Sequence, residues 1–452
     1  MASDRREVFG WMVYAWSYHG FVTTVQTVLL APYLTGLAQQ AVGENGRVFA
    51  LAGLGAVTAK SFWPLCVSLS VLLQAVLLPV LGAAADYSSR KKRLLMLTGY
   101  TGAAATSLLF FVGAGLDFRW GGLLFVVANL SLGATTVVYN AILPEITAPE
   151  ERDRVSSRGY ALGYLGGGLL LAANLLLMRF ANDLGFSTSH ALRLCLLSAG
   201  LWWFGFSLVT FRRLKTRAPG QSLAPGQSYL AAGLAGLRGT FRELVRLPHT
   251  RKFLVSYLFF NDGVQTVLAM ASVFLAQELF VARGLEVNQA FLVGLMLMIQ
   301  FVGFAGSLVF ERIAAAIGAK SGLLLALGIW SGVVVYGYGV LQTETQAWGM
   351  AAVAALVMGG SQALARSLYS RMIPPRREAA FFGLYEIANS GTSWIGPLIF
   401  GLVVSATNSY RQALLSLIAL FVIGSALLAL TDTRRAMREA GQSERDSAPD
   451  SV

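Results

Sequence analysis

Four ionisable residues interrupt stretches that are otherwise apolar: His19, Asp262, Arg366 and Glu386. A charge at the centre of a bilayer costs about 2.5–3.5 kcal/mol on insertion scales, so each of these residues needs a partner, a wet cavity or a task. Asp262 lies in the run Tyr257-Leu-Phe-Phe-Asn-Asp-Gly263, with Asn261 beside it and Gln265 just beyond. A carboxylate there can bind an amine, a cation or a proton; the alternative is local pairing with Asn261 or Gln265. His19 has Gln26 two turns further on, and an imidazole with a reference pKa near 6.5 suits a proton switch. Its alternative is a packed histidine. Glu386 either lines the same site or pairs with Arg366 as an inner gate. Gln74, Asn129, Asn140, Asn174 and Asn389 offer neutral hydrogen bonds, expected mostly between helices.

Catalytic and cofactor chemistry finds little support. The three histidines, His19, His190 and His249, fall in different regions. Neither HExxH nor GxSxG occurs, and a phosphate-binding P-loop is absent from the sequence. Cys66 and Cys195 both sit in apolar runs and suit small buried hydrophobes better than a disulfide or a metal site. We therefore expect no enzyme, no cofactor and no ATP-driven pump.

The elements that position these residues follow from composition. Of 452 residues only 13% are charged and 55% are hydrophobic. A soluble fold cannot hide that much apolar surface, so the chain reads as an all-α membrane protein. A spanning helix needs about 20 apolar residues. Twelve candidates are found, at residues 8–38, 61–85, 93–116, 120–143, 155–180 and 190–211, then 252–281, 287–310, 319–341, 347–370, 380–406 and 411–430. The organisation is an N-terminal six-helix half (1–211), a polar linker (212–250), a C-terminal six-helix half (251–431) and a tail expected to be disordered (432–452). An even count puts both termini on one side. Of the 35 Lys and Arg, only Arg47, Lys60, Arg119, Arg179, Arg193, Arg283 and Arg411 then fall on the other. By the positive-inside rule the termini are cytoplasmic, and the net charge of +12 records orientation, not nucleic-acid binding. In the linker, Arg238, Arg242 and Arg246 form one helical stripe beside Leu230, Leu234, Leu237, Phe241 and Leu244, a pattern that fits an amphipathic helix on the anionic leaflet or a solvated linker helix.

The halves read as copies. An offset of 243 residues aligns Tyr14 with Tyr257, Gly20 with Gly263 and Thr23 with Thr266, and places His19 opposite Asp262. Two small-residue runs, Gly159-x-x-x-Gly163-x-x-Gly166-Gly-Gly168 and Gly391 to Pro397, suit close helix packing or a sliding surface, and Pro397 is expected to kink its helix. After the second span comes Gly82-Ala-Ala-Ala-Asp86-Tyr-Ser-Ser-Arg90-Lys91-Lys-Arg-Leu94. This resembles the signature loop of the major facilitator superfamily, G-x-L-A-D-R-x-G-R-K-x-x-L, at Gly82, Ala85, Asp86, Arg90, Lys91 and Leu94. Ala84, Tyr87 and Ser89 depart from it. Asp86 is expected at a helix N-terminus, and Arg90 is expected to pair with a carboxylate, Glu145 being the candidate. With Arg366 these form the expected gating set.

More specific stretches are Ser68 to Gln74, Leu143-Pro-Glu-Ile146, Arg152 to Gly168, Gly359 to Ser367, Phe381 to Glu386 and Gly391 to Pro397. Together they resemble the bacterial branch of the vacuole-effluxer-like major facilitator transporters, relatives of autophagy-related amino-acid exporters. The resemblance implies a major facilitator fold, alternating access and export of small polar metabolites such as amino acids. It also implies a multi-pass protein of the bacterial inner membrane, expected to act as a monomer. The family's first helix usually reads Y-D-W-A-N-S-A-F; here Ala15 replaces the acid, Tyr18 the Asn, and His19 a serine. The expected substrate or proton site is Asp262, His19, Asn261, Gln265, Gln26 and Glu386, with protons as a coupling partner. The alternatives are a receptor or scaffold that transports nothing, and a carrier of drugs or sugars.

Overall fold

The structure, a computed structural model, describes residues 4–43, 46–51, 55–88, 90–113, 115–217, 229–285, 288–391, 395–407 and 409–441. The first half contains α1 (Arg5–Gly20), α2 (Leu30–Val42), α3 (Ala59–Asp86), α4 (Lys91–Leu108), α5 (Phe118–Ile146), α6 (Arg152–Arg179) and α7 (Thr188–Arg213). The linker carries α8 (Tyr229–Arg246). The second half contains α9 (Pro248–Leu279), α10 (Gln289–Ile317), α11 (Ala319–Gly339), α12 (Glu344–Arg371), α13 (Glu378–Glu386), α14 (Ile395–Thr407), α15 (Tyr410–Ser416) and α16 (Ile418–Ala429), and α17 (Thr433–Glu439) follows. Among the described residues eleven helices are long and apolar enough to cross a bilayer, and the twelfth span is the pair α13 and α14. Two large apolar cores lie one in each half; the first is drawn from Val8 to Leu214, and the second mainly from Leu244 to Ala436.

The spans are regular except where proline and polar side chains intervene. The first span is α1 and α2 joined by a π-helical stretch, Phe21–Leu29. Pro32 follows it and has no N–H to give the preceding turn. Within the wide turn the Thr27 hydroxyl donates to the Val22 carbonyl, five residues back, at 2.8 Å. Span eleven behaves likewise: α13 ends at Glu386, a π turn covers Ile387–Gly391, and α14 starts at Ile395. The irregularity described near the kink expected at Pro397 is the π turn ahead of it, and Pro397 itself sits in the first turn of α14, where a missing N–H costs little. Residues 392–394 of the Gly391–Pro397 motif lie outside the described residues.

Two other expectations change. The tail begins as α17, capped by the Asp432 carboxylate on Arg435 N–H at 2.9 Å, and Ala436 is fully buried. The disorder expected from 432 therefore does not extend through this helix; 442–452 lie outside the described residues. Helix α8 leaves Arg238, Arg242 and Arg246 exposed, yet its Leu244 is buried and its Thr240 and Glu243 meet Arg377 on the bundle. It docks on protein with one face; the side chains of Leu230 and Leu234 lie outside the described ones. A short antiparallel hairpin, β1 (Arg47–Leu51) and β2 (Gly55–Thr58), follows the first span and was not legible in the sequence.

The glycine run of α6 works as a close-approach face. A Cβ at Gly163 would lie 2.7 Å from the His19 ring, and one at Gly166 would lie 2.8 Å from both the Trp16 ring and its carbonyl oxygen. Gly159 faces Trp11 in the same way. Helices α1 and α6 therefore touch along a seam that only glycine permits. Replacing Gly166 by Val overpacks that seam, at a cost of about 1–3 kcal/mol. Thermal unfolding of the purified protein should show a clearly lower midpoint for Gly166→Val, while Gly205→Val, where no atom lies within 4 Å, should leave it unchanged.

Candidate functional site

Successive spans alternate in direction, so the ends of α3, α5, α10 and α12 meet on the face that carries the chain termini. On this face the halves are tied together. Asp86, 1% exposed, accepts from the N–H groups of Ala379 (3.1 Å) and Ala380 (2.8 Å) at the start of α13. A carboxylate there satisfies orphan donors and faces the positive end of the helix dipole. Lys91 binds both Asp86 (3.1 Å) and Glu145 (2.7 Å). Arg90, expected to bind Glu145, is exposed and among the described residues donates only its backbone N–H, to Ser88. The reason is position: Lys91 is the first residue of α4 and points back across the loop, whereas Arg90 precedes the helix.

A second tie lies between α6 and α12. Asp153 pairs with Arg371 at 2.6 Å and accepts from the Ser367 hydroxyl. Arg152 donates to the Ser370 carbonyl at 3.0 Å. A third joins Arg158 of α6 to Glu311 of α10 through both guanidinium Nε and Nη2.

Arg366 lies about 8 Å in from this end of α12, at 1.5 Å per residue. It does not pair with Glu386. Its Nε donates to Ser156 Oγ (2.9 Å) and its Nη2 to the Ser156 carbonyl (2.8 Å), and Nη1 reaches Asn140 Oδ1 at 3.4 Å. Its guanidinium carbon lies 4.2 Å from the Tyr160 ring centre, 4.9 Å from Trp11 and 5.6 Å from Tyr139. All these partners belong to the opposite half. Ser156 completes the contact by donating to the Ala363 carbonyl at 2.8 Å.

Deeper in the second half lies a chain of amide and hydroxyl hydrogen bonds that ends on a carboxylate. Gln362 donates to Asn261 Oδ1 (2.9 Å), Asn261 to the Asn389 carbonyl (3.0 Å), Tyr257 to Asn389 Oδ1 (3.0 Å), and Asn389 to Glu386 Oε1 (2.7 Å). Asn261 and Glu386 thus share one network on α9, α12 and the π turn. Asp262 is outside it. Its Oδ2 accepts from Gly396 N–H at 2.7 Å, at the start of α14, so it pairs with neither Asn261 nor Gln265. Among the described residues its Oδ1 is buried with no hydrogen-bond partner, as is the Thr266 hydroxyl one turn on. Gln265 is half-buried and makes no hydrogen bond among the described residues.

His19 is 8% exposed and packs edge-on to Tyr164 with centroids 5.6 Å apart, against Gly163. It makes no hydrogen bond among the described residues. It matches Asp262 in depth but not in chemistry. Gln26 reaches Asn129 at 3.4 Å in a separate network with Ser70 and Gln74. Across the seam at this depth stands one weak bond, Thr23 to Gln300 at 3.5 Å. Beyond it, toward the far face, the described residues give no hydrogen bond or ion pair between the halves.

Sequence reading missed Lys91, Tyr257, Gln362 and the aromatic cage of Trp11, Tyr139 and Tyr160. One signal was available: Tyr257 and Asn261, like Gln362 and Arg366, are spaced i, i+4, which places each pair on one helix face.

Comparison with known proteins agrees with this arrangement. A relative from Bacillus subtilis strain 168, the uncharacterised MFS-type transporter YxiO, is 26% identical over 423 residues, 93% of each chain. Autophagy-related protein 22-2 of Emericella nidulans is 26% identical over 97% of this chain and 92% of its own. Among solved structures, the human organic anion transporter MFSD10 superposes with a TM-score of 0.69 at 16% identity, covering 94% of this chain and 99% of that one. The major facilitator transporter FucP in its outward conformation gives 0.66 at 11% identity, with 94% and 98% covered. These likenesses show the major facilitator fold. The family model described as vacuole effluxer Atg22 like matches residues 3–441, and the chain belongs to that family of multi-pass membrane transporters.

Proposed function

We propose that the protein is a secondary active transporter that exports small polar metabolites, amino acids among them, by alternating access coupled to protons. The observation that carries this reading is the asymmetry of the seam. Buried polar ties join the halves on the face that bears the termini and stop at mid-depth, where an amide and carboxylate network begins. The vacuole-effluxer and autophagy-related names of the relatives support export. With the termini in the cytoplasm of a bacterial inner membrane, the closed face is cytoplasmic and the state is outward-facing. A monomer suffices, because the seam lies within one chain.

Asp262 is the proton carrier in this reading. As a carboxylate it caps α14 through Gly396 N–H, which the helix dipole favours; protonated, it gives up that advantage. Span eleven carries this cap at α14 and the Asp86 latch at α13, so the proton site and the gate share one span. His19, packed between rings, serves structure.

In proteoliposomes loaded with labelled amino acids, Asp262→Asn should lose at least tenfold of the flux driven by an imposed pH gradient while counterflow persists. His19→Ala should keep its response to the gradient. A wild-type response in Asp262→Asn would remove the proton role.

Asp86→Asn weakens the latch at α13 by about 1–2 kcal/mol, which shifts opening of the closed face by roughly five- to thirtyfold. The check is maleimide labelling of Ala363→Cys, a buried seam position. An unchanged labelling rate would take Asp86 out of the gate.

A further inference from the structure

The setting of Arg366 is unusual for a buried charge. It is 2% exposed, and among the described residues no carboxylate lies within ion-pair distance of it. Three rings and three oxygens receive it instead: Trp11, Tyr139 and Tyr160, with Ser156 Oγ, the Ser156 carbonyl and Asn140 Oδ1. A planar guanidinium stacks on aromatic faces and spreads its donors in one plane, and this pocket is shaped for that ion. The pocket is built. Trp11 and Tyr139 stack at 4.2 Å with a 6° interplanar angle, and the Trp11 indole N–H is fixed on the Tyr139 carbonyl at 2.8 Å. Gly159 leaves the room: a Cβ there would stand 2.9 Å from the Trp11 ring and 3.4 Å from Arg366 Nη2.

Every residue of the cage belongs to the first half, on α1, α5 and α6, and the cation comes from α12 of the second. Parting of the halves on the terminal face must therefore pull the guanidinium out. Two complementary sites are then exposed at once. One is an empty cage, rich in π faces and oxygen acceptors. The other is a free guanidinium, which takes a carboxylate. A ligand that satisfies both carries a planar cation at one end and an anion at the other.

We propose that the cage of Trp11, Tyr139, Tyr160, Ser156 and Asn140 is the recognition site for the side-chain cation of a basic amino acid, arginine-like in shape. In the closed state the chain's own Arg366 occupies it; once released, Arg366 takes the ligand's carboxylate. This rests on the amino-acid reading above and narrows it to one substrate class. Arg366 is thus both the plug of the cage and an anchor that competes with the cargo for it.

Three probes separate these roles in full-length protein in nanodiscs: L-arginine, its neutral isostere L-citrulline, and agmatine, which keeps the guanidinium and lacks the carboxylate. Wild type should bind arginine at least tenfold more tightly than citrulline, and Tyr160→Leu should erase that preference. Arg366→Gln removes the plug, so its agmatine affinity should rise at least tenfold over wild type, and adding Tyr160→Leu should cancel the gain. Arg366→Lys keeps a cation in the cage and should show no such gain. Equal binding of arginine and citrulline by wild type, or no agmatine gain in a folded Arg366→Gln, overturns the proposal. If Arg366→Gln does not fold, the arginine-to-citrulline ratio in wild type and Tyr160→Leu decides alone. Flux of neutral amino acids without arginine preference would sink this inference and leave the exporter reading standing. Agmatine and arginine binding without any amino-acid flux would do the reverse.

Discussion

A charge in a hydrocarbon environment must be matched, and in this protein the matching is done across the seam between the halves. Arg366 is answered by rings and oxygens of α1, α5 and α6, Asp86 by the first N–H groups of α13, and Asp153 by Arg371. Among the described residues Arg366 and Asp153 have no such partner in their own half, and Asp86 has only Lys91 there. The closed face is thus not a passive contact of apolar surfaces: separating it leaves a buried cation, a carboxylate and a helix end without partners together. In the alternating-access cycle proposed above, that shared cost favours an all-or-none closure.

Backbone irregularity falls where the same logic needs it. Both π-helical stretches precede a proline, Pro32 or Pro397, and each is flanked by polar side chains that take up the loosened groups. Thr27 does so in the first span, and Asn261 and Asp262 do so around span eleven. Non-helical backbone at membrane depth persists only where protein satisfies it.

Much of this was legible in the sequence. The spans follow from length and hydropathy, and the Asp86 loop from the spacing of Gly82, Asp86 and Lys91. The pairings were not. Whether Arg90 or Lys91 meets Glu145 depends on which residue begins α4, a difference of one position. Whether Arg366 meets Glu386 or the opposite half depends on the rotation of α12, and the apolar run around it is too uniform to reveal that rotation. His19 and Asp262 align in register, yet one is enclosed by Gly163 and tyrosines and the other by a helix end. Registration along the chain fixed depth, not surroundings. The π turn in span eleven was hidden because Pro397 drew attention to itself and not to the residues before it.

The placement of Arg366 also bears on how the chain is assembled in the membrane. When α12 enters the bilayer its arginine, about 8 Å from the helix end, carries an insertion cost below the about 2.5–3.5 kcal/mol of a mid-membrane charge, and no partner described on its own half offsets it. Its acceptors, Trp11, Tyr139, Asn140, Ser156 and Tyr160, have all been synthesised well before it. The first half therefore acts as a template for completing the second, and a chain supplied in the opposite order would have to hold a bare cation in lipid until its partner arrived.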